Sequence, residues 1–250
     1  MAPSSAVRRE VLLVLGVSLG QSAAYSLVSL IGKLTEQKAL AQQTTALNVS
    51  QAPGRPWLDL SYQLLGVFFT VVPALLALHL LAVRGPVRST LGLEWPGRRV
   101  WTDLGVGAAL AAVIGVPGLG LYVAAVALNL NTQIAAANLP DVWWAVPVLV
   151  LGAAANGLLE EIVVVGYLVT RLSDLGWRTW HVVAASALVR GSYHLYQGFG
   201  GFVGNAIMGV VFALVFLRTR RVGPLVLAHT LLDVVAYLGY TYLHDRVGFL

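Results

Sequence analysis

Residues 156–172 read NGLLEEIVVVGYLVTRL. Two adjacent carboxylates, Glu160 and Glu161, interrupt a run that is otherwise almost entirely apolar until Arg171. In an apolar setting one unpaired carboxylate is costly, and two neighbours add their mutual repulsion. The stretch therefore raises two questions: whether its surroundings are lipid, and what the rest of the chain brings to the same depth.

Composition answers the first. Of the 250 residues, 58% are hydrophobic and 11% charged, against about 25% charged in a soluble domain. The deficit extends along the whole length, as in a polytopic membrane protein rather than one large soluble core. The net charge is +5, but the basic residues fall in short clusters between apolar runs. That is the pattern of membrane topology, and no nucleic-acid partner is expected. The sequence has no cysteine, which excludes disulfides and thiolate metal sites. The first residues resemble a signal peptide, yet the apolar stretch continues to Ile31, long enough to span. A retained first helix is expected.

Seven apolar segments are long enough, or nearly so, to cross a bilayer: roughly 11–32, 60–83, 102–127, 143–170, 180–197, 202–217 and 224–243. The expected fold is an all-α membrane bundle of about seven helices in a single domain. Residues 1–140 supply three spans and 141–243 supply four. Alternating the segments from a cytoplasmic N-terminus puts Arg8, Arg9, Arg84, Arg88, Arg98, Arg99, Arg171, Arg178, Arg218, Arg220 and Arg221 inside. Only Lys33, Lys38, Arg55 and Arg246 then lie outside, so the orientation is N-in, C-out by the positive-inside rule.

Loops and ends set aside, the ionisable residues left at membrane depth are His79, Glu160, Glu161, Arg190, His194, His229 and Asp233, with Asn156 and Asn205 as polar company. Intramembrane ionisable groups face a bundle interior or a wet cavity and point to a site, the bland alternative being a salt-bridge cluster that pins helices. His79, alone near the end of its segment, reads as an interfacial or packed histidine. The others agree in depth. At 1.5 Å per residue, Glu160 lies about 16 Å from Arg171, His229 about 12 Å from Arg221 and His194 about 21–24 Å from the loop before its segment, one mid-membrane layer once soft boundaries and tilt are allowed for. Arg190 and His194 are four residues apart, as are His229 and Asp233, so each pair shares a helix face. Glu160 and Glu161 point about 100° apart, so one is expected to face a cavity while the other binds a neighbouring helix.

These residues carry a resemblance. Glu160-Glu161, then Tyr193-His194-Leu195, then His229-Thr230-Leu231-Leu232-Asp233 resemble the three motifs of the CPBP family of intramembrane proteases, also called the Abi or CAAX-prenyl-endopeptidase family. The resemblance covers about residues 140–240 and departs from the family twice. The arginine expected after the di-glutamate falls on Val165, and the aromatic expected before the first histidine falls on Arg190. The phrase LVRGSYHLYQGFGGFVGN looks like a bacterial subgroup in which both positions differ together. A positive charge has thus moved from the glutamate helix to the histidine helix, and Arg190 is expected to neutralise one glutamate, Glu161 in particular.

The resemblance implies an endopeptidase of the bacterial cytoplasmic membrane, acting among membrane lipids on a peptide or protein substrate near the membrane. By that resemblance Glu160 and His194 activate water, Glu161 orients this group or pairs with arginine, and His229 with Asp233 stabilises the oxyanion. It implies no cofactor. Zinc is the rival, because two histidines and a carboxylate could bind it, although no His-Glu-x-x-His motif is present. A non-catalytic helper in bacteriocin immunity or scaffolding, and a small proton- or ion-coupled transporter, stay open as alternatives.

Overall fold

Residues 4–93, 97–244 and 246–247 are described by a computed structural model. The side chain of Arg98, one of the cations assigned to the inner side, lies outside the described residues. The helices are α1 Ser4–Gly16, α2 Leu19–Leu34, α3 Pro56–Ala82, α4 Val87–Thr90, α5 Gly97–Ala127, α6 Ala145–Glu160, α7 Leu168–Asp174, α8 Thr179–Ser192, α9 Phe199–Thr219 and α10 Gly223–Leu243. A π-helical stretch, Glu161–Tyr167, joins α6 to α7 without a break. Two short parallel strands, β1 Thr44–Ala46 and β2 Gln133–Ala135, pair with Thr45 opposite Ile134.

Among the described residues, five helical stretches are long and apolar enough to cross a membrane, or six if α1 and α2 count as one bent span. The expectation of about seven is therefore corrected at two places. The first segment is not one rod: α1 and α2 meet at 53°. No proline causes this. Ser18 leaves helical geometry and turns its hydroxyl back to Val14 O (2.5 Å), while a Cβ on Gly20 would sit 2.6 Å from Leu15 O, so only glycine permits the bend. The fifth segment forms a helix of only 14 residues, α8, about 21 Å long and short of a full crossing. Its chain continues instead through a turn and the 3-10 segment Leu195–Gln197.

The bundle has two chemically distinct ends. At one, Glu10 pairs with Arg84 (3.3 Å) and Arg171 (2.8 Å), and Asp103 pairs with Arg221. At the other, the loops carrying β1 and β2 meet the 193–198 turn, where Thr132 N donates to Gln197 O (2.9 Å). The core between them is built on the π-helical stretch. Val163, Val164, Val165 and Tyr167 are wholly buried against α3, α8, α9 and α10. A π turn frees backbone carbonyls that an α-helix would use. Ser186 on α8 donates to Val164 O (3.2 Å) and Thr170 to Gly166 O (2.6 Å), supplying hydrogen bonds inside the core.

Close helix packing sets where the site residues sit. Gly157 of α6 lies against α10 so tightly that a Cβ there would meet Thr230 Oγ1 at 2.8 Å and Val226 O at 3.0 Å. Gly157→Ala is expected to cost about 1–3 kcal/mol by pushing α6 off α10, read as a lowered melting temperature of the purified protein. An unchanged melt would show that the contact is soft.

Candidate functional site

The glutamates end α6 and begin the π-helical stretch, placing both at mid-bundle facing α8 and α10. Arg190, with no exposed surface, comes from α8 and bridges them: Nη1 donates to Glu160 Oε2 (3.2 Å) and Nη2 to Glu161 Oε1 (2.6 Å). The guanidinium carbon also lies 5.4 Å from the centre of the Phe212 ring. The expected neutralisation of one glutamate thus extends to both, because a guanidinium presents a fork of donors where a single ammonium presents a point. Val165 is buried in the core, away from this role, and Arg171 is committed elsewhere. Arg171 donates to Glu10 Oε1 and Leu80 O, each at 2.8 Å.

His229 of α10 completes the cluster. Its Nδ1 stands 2.6 Å from Glu161 Oε1, and its Nε2 stands 3.9 Å from Glu160 Oε2 and 3.8 Å from Asp233 Oδ1. A carboxylate only accepts, so Nδ1 carries a proton and Nε2 is aimed at the gap between Glu160 and Asp233. Glu160, Glu161 and Asp233 outnumber the one guanidinium, so His229 sits in an excess of carboxyl groups. Asp233 is held by Tyr237, whose hydroxyl donates to Oδ2 (3.3 Å) and accepts from Asn156 Nδ2 (3.3 Å).

His194 follows α8 and does not touch the carboxylates directly; among the described residues its ring hydrogen-bonds the Arg190 carbonyl through Nδ1 (3.0 Å). The carbonyl only accepts, so Nδ1 holds the proton and a neutral ring keeps its Nε2 lone pair free. Tyr193, beside it, donates to Glu160 Oε2 (2.7 Å).

The two glutamates differ in one decisive respect: Glu160 keeps 9% of its surface exposed and Glu161 none. Both reach the same guanidinium, so the two differ in access rather than in that partner. Of the remaining polar residues, Asn205 bonds its own helix among the described residues, at Gly201 O (3.0 Å), and His79 is exposed on α3. The roles of Tyr193 and Tyr237 were missed from sequence. Both had a signal: Tyr193 is three residues after Arg190, and Tyr237 is four after Asp233, the spacing that paired His229 with Asp233.

Glu160, Glu161 and His229 could also hold a metal ion by distance, their ligand atoms lying within 4.8 Å of one another. But Arg190 already donates to both carboxylates from within the cluster. A divalent cation would have to displace or tolerate that guanidinium.

Fold and site together define a polytopic helical membrane protein whose buried glutamates are held by arginine and histidine from other helices. Residues 142–235 match the Rce1-like family of type II CAAX prenyl endopeptidases. That segment runs from the start of α6 past Asp233 and contains every member of the cluster except Tyr237. The likeness is confined to that segment, less than half of the chain, and there the protein is similar to the CPBP family. No curated protein and no solved structure matches the chain.

Proposed function

We propose that this protein is an intramembrane endopeptidase that hydrolyses a peptide bond with a water activated by Glu160. The observation that carries the reading is the difference between the two glutamates: Glu160 alone keeps an exposed edge, as a general base must. Glu160 takes the proton of the attacking water, with the free His194 Nε2 as its partner. The water oxygen bonds to the substrate carbonyl carbon, and the oxyanion is met by the His229 Nε2 proton. Glu160 then returns the proton to the amide nitrogen as the carbon–nitrogen bond breaks. Glu161 and Asp233 orient His229 from its two sides, and Arg190 offsets the paired carboxylates.

The test is to incubate the reconstituted protein with membrane-anchored peptide libraries and read products by mass spectrometry, alongside Glu160→Gln and His194→Ala. Cleavage persisting in both variants would remove the site from the mechanism. A second reading, a non-catalytic family member, is favoured by the bond from Arg190 to Glu160 (3.2 Å), since a carboxylate paired with a cation is a weaker base. The same assay separates the two.

The proposed mechanism needs no metal. Cleavage is expected to persist at full rate after exhaustive dialysis against a chelator. A loss restored by added zinc would transfer water activation from Glu160 to a metal held by Glu160, Glu161 and His229.

A further inference from the structure

The helices before residue 142 lie outside the family match, yet α2 grips the turn that carries His194. Ser26 Oγ, buried, donates to Tyr193 O at 2.8 Å. Seven residues further, two turns along the same face, Lys33 Nζ donates to Tyr196 O and to Thr45 Oγ1. Thr45 in turn contacts Thr132 Oγ1 (2.6 Å), and Thr132 Oγ1 donates to Gln197 O (3.0 Å). Carbonyls on both sides of His194 are therefore held by side chains that the family core does not supply.

Among the described residues the His194 ring hydrogen-bonds the Arg190 carbonyl of the preceding helix, and its ring contacts are with Tyr193 and Tyr196 of the same turn. Where its free nitrogen points consequently depends on the backbone of the turn. A lysine that merely marked the membrane boundary would extend its ammonium to water. Lys33 instead turns inward, and its own backbone is fixed because Gln43 Nε2 donates to Lys33 O (2.9 Å). An ammonium on a carbonyl makes a stronger bond than a neutral donor would.

We propose that Lys33 is a positioning residue: by holding Tyr196 O and Thr45 together it sets the backbone of the 193–198 turn and hence the placement of the His194 imidazole. The catalytic consequence rests on the endopeptidase reading above, whereas the clamp itself does not.

The absence of cysteine from the sequence permits a test at a single atom. Lys33→Cys introduces the sole thiol. Alkylation with 2-bromoethylamine, in which the thiolate displaces bromide, restores an ammonium on a chain of the same length. Alkylation with iodoethane gives an uncharged thioether. Lys38→Cys, in the exposed loop beyond α2, serves as the control.

In the Lys33→Cys protein and its ethylated form, amide hydrogen exchange across 193–198 is expected to rise about tenfold. The rate of peptide cleavage, kcat, is expected to fall about tenfold with KM unchanged. Aminoethylation returns both values, and Lys38→Cys changes neither. The proposal is overturned if exchange is unchanged in Lys33→Cys, if ethylation restores as well as aminoethylation, or if exchange rises while kcat stays at the wild-type value. If the wild-type protein cleaves no peptide, the endopeptidase reading fails and the exchange measurement alone decides whether the ammonium fixes the turn.

Discussion

Arg190→Ala should leave the protein unable to hold its centre. The substitution removes the guanidinium that donates to both Glu160 and Glu161, and Glu161 has no exposed surface through which water could replace it. Breaking a buried ion pair by deleting one partner costs about 3–5 kcal/mol, a large share of the roughly 5–15 kcal/mol that keeps a typical domain folded. The loss should appear as aggregation on size-exclusion chromatography or a collapse of the thermal melt. Arg190→Lys should retain part of the stability and activity: an ammonium restores the charge but cannot fork to both carboxylates. A fully stable and active alanine variant would mean that the glutamates are protonated and do not need the guanidinium.

Glu160→Gln should produce the opposite separation, a dead protein that is still folded. The amide has the carboxylate's shape, and its oxygen can accept from Tyr193 and Arg190 as Oε2 does now. What disappears is the basic oxygen. Losing a general base lowers the rate by about 10²–10⁴-fold, while the melt should change little. Glu161→Gln is the informative contrast. That side chain lies wholly buried between Arg190 and His229 and has one oxygen, Oε2, already without a partner. Its amide would bring a new buried donor facing those cations, so stability should fall along with activity. Equal behaviour of the two variants would erase the distinction drawn from exposure.

Much of this site could be read from residue order. Glu160, Glu161, Arg190, His229 and Asp233 stand out because ionisable groups are rare in apolar segments, and all five fall within the converging cluster. The i,i+4 pairing of His229 with Asp233 also follows from helical period alone. The π-helical stretch was not legible. Nothing in EIVVVGY distinguishes it from an α-helix by hydropathy, and the bond that Ser186 on another helix makes to Val164 O within it is a tertiary contact. The bend between α1 and α2 was hidden for a related reason. An apolar window does not register the single close approach at Gly20 that breaks the rod. The length of α8 was overread because 180–197 stays largely apolar through a turn that hydropathy does not detect.

Residue order determined that the chain belongs in lipid, that it folds as helices, and which charged groups are left inside. These follow from transfer free energies, which each residue carries wherever it sits. Only the tertiary structure decided that one guanidinium serves both glutamates, that Glu160 keeps a small exposed fraction and Glu161 none, and that α2 reaches the turn beside His194. Each of these depends on ångström-scale distances between segments far apart in the chain. A carboxylate, an imidazole or an ammonium acquires its role from the partner within 3 Å or so, and residue order does not name that partner.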